Sequence, residues 1–196
     1  MEGKLNIIET IKEGVVIGTK NILSLLIVAV LYYLTCWVPY LNIGTTVGLY
    51  KFIIKLSRGE VADPLILFEK ENFDNLGNLI LFFGIYSMGL IVAFFMMIIP
   101  FFVMSIAWSF AIYFLIDRKM KPIEALELSF KVTDGEKWHI LAVLVLLCIA
   151  MTIVSTVLGI IPVVGGALAG IASLFFFAIV LAVVSVLFKH FDSKAV

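Results

Sequence analysis

The chain has 196 residues, 63% of them hydrophobic and 14% charged, with 14 Lys and Arg against 14 Asp and Glu. A soluble domain carries about 45–50% apolar and about 25% charged residues, and a surface this apolar would associate in water, so the composition excludes an ordinary soluble domain and points to a bilayer. Zero net charge leaves no basic face for nucleic acid, and Cys36 and Cys148, far apart in apolar stretches, read as small buried hydrophobes and not as a disulfide framework.

Charge divides the chain. Windows 21–50, 75–116 and 138–188 hold no Asp, Glu, Lys or Arg, and every charge lies in 1–20, 51–74, 117–137 and 189–196. A single helix through 75–116 would be about 63 Å long, twice the ~30 Å hydrocarbon core, so each window must fold back. In chain order, residues before 21 predict an amphipathic helix, with Ile7, Ile8, Ile11 and Val15 on one face. The first apolar run has no small-residue cleavage site and reads as a span, not a signal peptide. Span 21–38 follows, then a turn at Pro39, span 41–57, and a charged segment whose apolar spacing (Leu65, Phe68, Phe73) is weaker. Spans 77–99 and 101–117 flank Pro100. A second amphipathic helix carries Ile123, Leu126 and Phe130 on one face, and spans 138–160 and 163–188 flank Pro162. Proline interrupts the helical ladder, which suits all three positions to hairpin turns. The fold class expected is an all-α integral membrane protein, a single transmembrane domain of six helices in three Pro-turn hairpins. All Lys and Arg then fall on one side, and the positive-inside rule makes that side, with both termini, cytoplasmic.

The three prolines are 61 and 62 residues apart, and each precedes a pair of small residues four apart: Gly44 and Gly48, Ser105 and Ser109, Gly166 and Gly170. This suggests a threefold internal repeat with units of about 1–60, 61–120 and 121–196, each an interfacial helix followed by a hairpin. Small residues at this spacing let helices approach closely, so the second helix of each hairpin is expected toward the bundle centre. Prolines at the tips of any six-span protein would give part of the same pattern.

No phosphate loop, nucleophile elbow or H-E-x-x-H arrangement is present. His139 and His190 stand beside span boundaries with no cysteine near them, and neither a metal nor a cofactor is expected. Lys51 and Lys55 share one face of the second span. Lys51 lies about 18 Å along a helix from Pro39, at a depth where a cation either snorkels to the headgroups or faces a polar cavity. Snorkelling is the plainer reading; the functional one is a lipid phosphate or small carboxylate held by Lys51, Lys55 and Arg58. Tyr32, Tyr33, Trp37, Tyr40 and Trp138 read as interfacial anchors.

The runs Gly44-Thr45-Thr46-Val47-Gly48-Leu49-Tyr50, Leu56-Ser57-Arg58-Gly59-Glu60, Pro64-Leu65, Trp108 to Leu115 and Glu124-Ala125-Leu126-Glu127-Leu128-Ser129 resemble the YciC-like group of uncharacterised prokaryotic six-span proteins. They are more distantly similar to the membrane domain of some glycerophosphodiester phosphodiesterases. The resemblance implies a bacterial or archaeal inner-membrane protein and supplies no catalytic residue. The function expected is non-enzymatic, through contact with membrane lipids or other membrane proteins; the alternative is a small transporter or channel for an anionic or amphiphilic solute.

Overall fold

The computed structural model describes residues 5–60, 62–74, 76–96, 98–160 and 165–195, all helix, turn or coil with no strand among them. Pro162 lies outside the described residues. The helices are α1 (Ile7–Lys20), α2 (Ile22–Thr35), α3 (Pro39–Ser57), α4 (Leu76–Met96), α5 (Ile98–Ala107), α6 (Ala111–Asp117), α7 (Pro122–Val132), α8 (Lys137–Gly159) and α9 (Gly165–Lys194), with two 3-10 turns, Pro64–Phe68 and Lys70–Phe73, between α3 and α4.

Four segments are long and apolar enough to cross a membrane: Leu76–Met96, Ile98–Asp117 (α5 and α6 together), Lys137–Gly159 and Gly165–Lys194. A fifth is gained if α1 and α2, bent by 86°, count as one. The first expected hairpin falls short of the test for two reasons. At 14 residues α2 is only about 21 Å long, and α3 carries Asn42, Thr45, Thr46, Lys51 and Lys55.

The chemistry at the breaks explains the bends. Asn6 caps α1, accepting from the N–H groups of Ile8 and Glu9. At the other end, Asn21 donates both its backbone N–H and its side-chain Nδ2–H to Ile17 O, closing α1, while its own carbonyl accepts from Leu25 N–H and starts α2. The break between α5 and α6 leaves the Ala107 carbonyl without its α-helical donor, because Ala111 N–H bonds Trp108 O instead. Ser129 of α7 supplies the replacement at 2.7 Å, and Thr133 adds a longer bond at 3.3 Å.

Pro39 is the first residue of α3, where its missing N–H costs nothing. Thr35 donates to Thr45 Oγ1 at 3.2 Å, and Tyr32 Oη lies 3.4 Å from Thr46 Oγ1, so α2 and α3 run antiparallel. Pro100 sits in the first turn of α5, just past the reversal. Phe94 faces Phe101 and Tyr86 faces Trp108 across the α4–α5 pair.

The core gathers around the C-terminal half of α9. Phe52 of α3, Phe114 of α6, and Phe188 and Phe191 of α9 are fully buried. Rings join the three helices: Tyr50 meets Tyr113 at 4.9 Å, Tyr113 stacks on Phe188 at 5.1 Å, and Phe110 meets Phe191 at 4.9 Å. Much of α4, α5 and α8, by contrast, leaves its apolar side chains exposed, as lipid contact requires.

The apolar stripes of the amphipathic segments are split, with Ile7, Ile11 and Leu126 packed on the core and their neighbours on the stripe facing out. In α1 the buried residues are Thr10, Gly14 and Gly18, while Ile8 and Val15 are exposed. An added Cβ at Gly14 would lie 2.5 Å from Val183 Cγ2 and at Gly18 3.3 Å from Ala182 Cβ, so the glycines are the contact with α9. In α7, Ala125, Leu126, Ser129 and Val132 are buried and Ile123 and Phe130 are exposed. Between the hairpins, Ile66 and Leu67 turn inward and Leu65 and Phe68 outward. Where lipid is as apolar as leucine, small residues are what let helices close on one another.

The small-residue pairs behave unequally. Gly44 and Gly48 are buried, but against the 3-10 segment and not against another span: Gly44 meets the Phe73 ring, and a Cβ on Gly48 would stand 2.5 Å from Leu67 Cα. Ser105 and Ser109 are half-buried and turn their hydroxyls back to Phe101 O and Ile106 O. Gly166 and Gly170 are exposed, and a Cβ added at either meets nothing within 4 Å among the described residues, unlike the first pair. Gly89, not singled out by its spacing, is the glycine on which the Trp108 ring rests.

Candidate functional site, a charged cleft beside α3

The segment 62–73 folds back along α3, and this places the lysine pair. Asp63 caps the first 3-10 turn by accepting from Leu65 N–H, with Pro64 fixing the backbone after it. Asn72, 1% exposed, donates its Nδ2–H groups to Ile66 O at 2.7 Å and Leu67 O at 3.2 Å, which locks the segment against Gly48. The turn then presents Glu69 and Glu71 to Lys51, at 3.7 and 3.8 Å. These are attractions between charges, longer than a hydrogen bond. Lys51 therefore neither simply snorkels nor stands alone: its side chain is a quarter exposed and faces two carboxylates.

Lys51 lies between two clefts. One, of about 540 Å³, is bounded by α3, the second 3-10 turn, the start of α4 and the end of α6; Val47, Leu79 and Leu115 line it with Lys51, Glu71, Asn72, Asp74, Asn78 and Lys119. The other, of about 680 Å³, includes Lys55, Arg58, Glu69, Lys70 and Asp117. Within it Arg58 is already paired: its Nη2 donates to both carboxylate oxygens of Asp117, at 2.7 and 2.6 Å. Lys55 is exposed and has no ion-pair partner among the described residues. The three expected cations thus lie along one edge but do not converge on one point. Lys119, which joins Lys51 in the first cleft, adopts φ +50°, the only positive φ among the described non-glycine residues.

A second ionic cluster ties the chain ends together. Glu136, in the turn before α8, is 4% exposed and bonds Lys194 Nζ at 2.7 Å and His190 Nε2 at 2.9 Å, and it accepts from Leu5 N–H at 3.3 Å. Burial pushes its carboxyl up, but hydrogen bonds and charge from Lys194 and His190 outweigh that and hold it below the ordinary value. Arg118 reaches Asp192 at 2.8 Å, and Lys189 reaches Glu13 at 3.4 Å. No three of His, Cys, Asp and Glu gather as a metal-binding group among the described residues. Of the aromatic residues read as anchors, Trp37, Trp138, Tyr40 and Tyr33 are exposed, Tyr40 also stacking on Phe73, whereas Tyr32 is half-buried and stacks on Phe177.

Sequence reasoning missed Asn72, Glu71, Lys119 and Glu136. Asn72 and Glu71 carry no periodic signal, since their role depends on a segment folding back. Gly14 and Gly18, in contrast, have the same four-residue spacing as the pairs that were singled out, so that signal was present.

No protein-family model, curated protein or solved structure matches this chain.

Proposed function

We propose that this chain is a non-enzymatic polytopic protein of a bacterial or archaeal inner membrane that works by binding membrane lipids or other membrane proteins. Membership of the YciC-like group belongs to the same proposal. So does a six-crossing layout with both termini cytoplasmic, in which α2 and α3 form a short first hairpin and three repeat units each begin with an interfacial segment. The element order is compatible with it: α1 before α2–α3, the 3-10 turns before α4–α5–α6, and α7 before α8–α9.

The observation that carries the reading is a contrast between centre and periphery. The centre is filled by Phe52, Phe114, Phe188 and Phe191, while α4 and α8 expose apolar side chains and the polar groups gather in clefts at one end. Such a body offers surface to lipids and partners and little route for a solute. Lys51 in an open cleft is the feature that favours the second reading, transport of an anionic or amphiphilic solute, but the rings packed beyond it argue against a continuous path.

Native mass spectrometry of the protein extracted in its own lipids tests the proposal. Discrete copurified lipids or a defined partner stoichiometry are expected. A bare monomer, together with solute flux in proteoliposomes that is lost in Lys51→Met, would favour transport and overturn the scaffold reading.

A further inference from the structure

Resting on the lipid-binding reading, we propose that the cleft between α3, α4 and α6 is a headgroup site for an aminophospholipid, one whose phosphate carries a primary ammonium. The charge pattern is the first argument. Lys51 and Lys119 face the same space as Glu71 and Asp74, two cations and two carboxylates. A purely anionic headgroup answers the lysines and is repelled by the acids, whereas a zwitterion answers both.

Unfilled hydrogen-bonding capacity is the second. The Lys51 ammonium has three donors, yet its carboxylate neighbours stand at 3.7 and 3.8 Å, too far to accept them. A phosphate oxygen supplies the missing acceptor. On the other side, Asn72 has both Nδ2–H donors committed to Ile66 O and Leu67 O, and its buried Oδ1 has no partner among the described residues. A buried acceptor without a donor is costly. A primary ammonium brings N–H groups to it; a trimethylated ammonium brings none, and neither does a phosphate. Asn72 therefore separates ethanolamine-type from choline-type headgroups, and the acids separate both from glycerol-type ones. Val47, Leu79 and Leu115 add an apolar wall to the same cleft, against which the start of an acyl chain can lie. The volume of about 540 Å³ is within the range of small-molecule sites.

The test uses the full chain reconstituted in vesicles of equal parts phosphatidylethanolamine, phosphatidylcholine and phosphatidylglycerol, then released gently and weighed with its retained lipid by native mass spectrometry. Phosphatidylethanolamine should be retained at least about fivefold over each of the others, the discrimination that one satisfied buried acceptor supports. Glu71→Gln should shift retention toward phosphatidylglycerol, and Lys119→Met should lower retention of all phospholipids together. Both side chains are exposed, so a thermal melt should find the fold intact. Equal retention of the three lipids, or no shift in Glu71→Gln, overturns the headgroup assignment while leaving lipid binding in place. Retention of no lipid at all overturns the lipid-binding reading as well.

Discussion

Gly48 and Gly170 are both glycines in apolar helices, each four residues after another glycine, yet the structure gives them opposite roles. A methyl group at Gly48 would stand 2.5 Å from Leu67 Cα, 2.9 Å from Ile66 O and 2.9 Å from Asn72 Nδ2. Two of these are backbone atoms, and ordinary carbon contacts lie at about 3.5–4.0 Å, so the 3-10 segment must move by about 1 Å. Overpacking of this kind costs roughly 1–3 kcal/mol. Because backbone has to shift, about 3 kcal/mol is the relevant end, and the gain of about 1 kcal/mol from replacing a helical glycine by alanine offsets part of it. Gly48→Ala should therefore lose about 2 kcal/mol. At Gly170 an added Cβ meets nothing within 4 Å among the described residues, and Gly170→Ala should be neutral or gain up to about 1 kcal/mol. For a chain of this size each kcal/mol moves a melting midpoint by about 2–4 °C. A fluorescence melt in one detergent should place Gly48→Ala about 4–8 °C below the parent and Gly170→Ala at or above it. Because the methyl also presses on Asn72, Gly48→Ala should lose retained phospholipid too. If the two variants melt together, or Gly170→Ala is the less stable, the docking of residues 62–73 along α3 is wrong.

Three further outcomes follow from other contacts. Glu136→Gln should flatten the acid limb of stability: the folded carboxyl sits below its ordinary value of 4.5, so its contribution is complete above that pH and disappears as pH falls through the lowered folded value, which melts across an acid series would resolve. Ser129→Ala removes the short bond to the freed Ala107 carbonyl and leaves only the 3.3 Å contact from Thr133, costing about 1–2 kcal/mol and read as a lower melting midpoint. Arg58→Ala removes the Nη2 that donates to both Asp117 oxygens; with the arginine half-exposed the loss should be about 1 kcal/mol, and an Asp117→Asn double-mutant cycle isolates the pairwise part.

How much was legible in the sequence depended on whether the signal was local. The charge-free windows placed α4, α8 and the start of α9 within a few residues, because a helix in hydrocarbon must be apolar over its whole length. Pro39 opens α3 for another local reason, since a residue without an N–H suits the first helical position. Helix faces were less legible. The apolar stripes of α1 and α7 are shared, Ile7, Ile11 and Leu126 packing on the protein while Ile8 and Ile123 face out, and it is small residues such as Gly14 and Ala125 that make the closest approach. The cleft was half legible: Lys51 drew notice as a cation deep in a helix, but its acids come from a segment whose path along α3 is set by Asn72 and Gly48, a contact between residues 24 apart in sequence. Glu136 was invisible for a similar reason, since Leu5, His190 and Lys194 reach it from both chain ends.

The charged ends of the helices belong, on this account, to the cytoplasmic side. With Cys36 and Cys148 replaced by alanine, Gly59→Cys and Lys119→Cys should resist an impermeant maleimide in intact cells and react once the membrane is opened. Both positions lie outside the helices, and each is exposed. Modification of either from outside intact cells would contradict the topology, and with it the placement of the lipid cleft at the inner face.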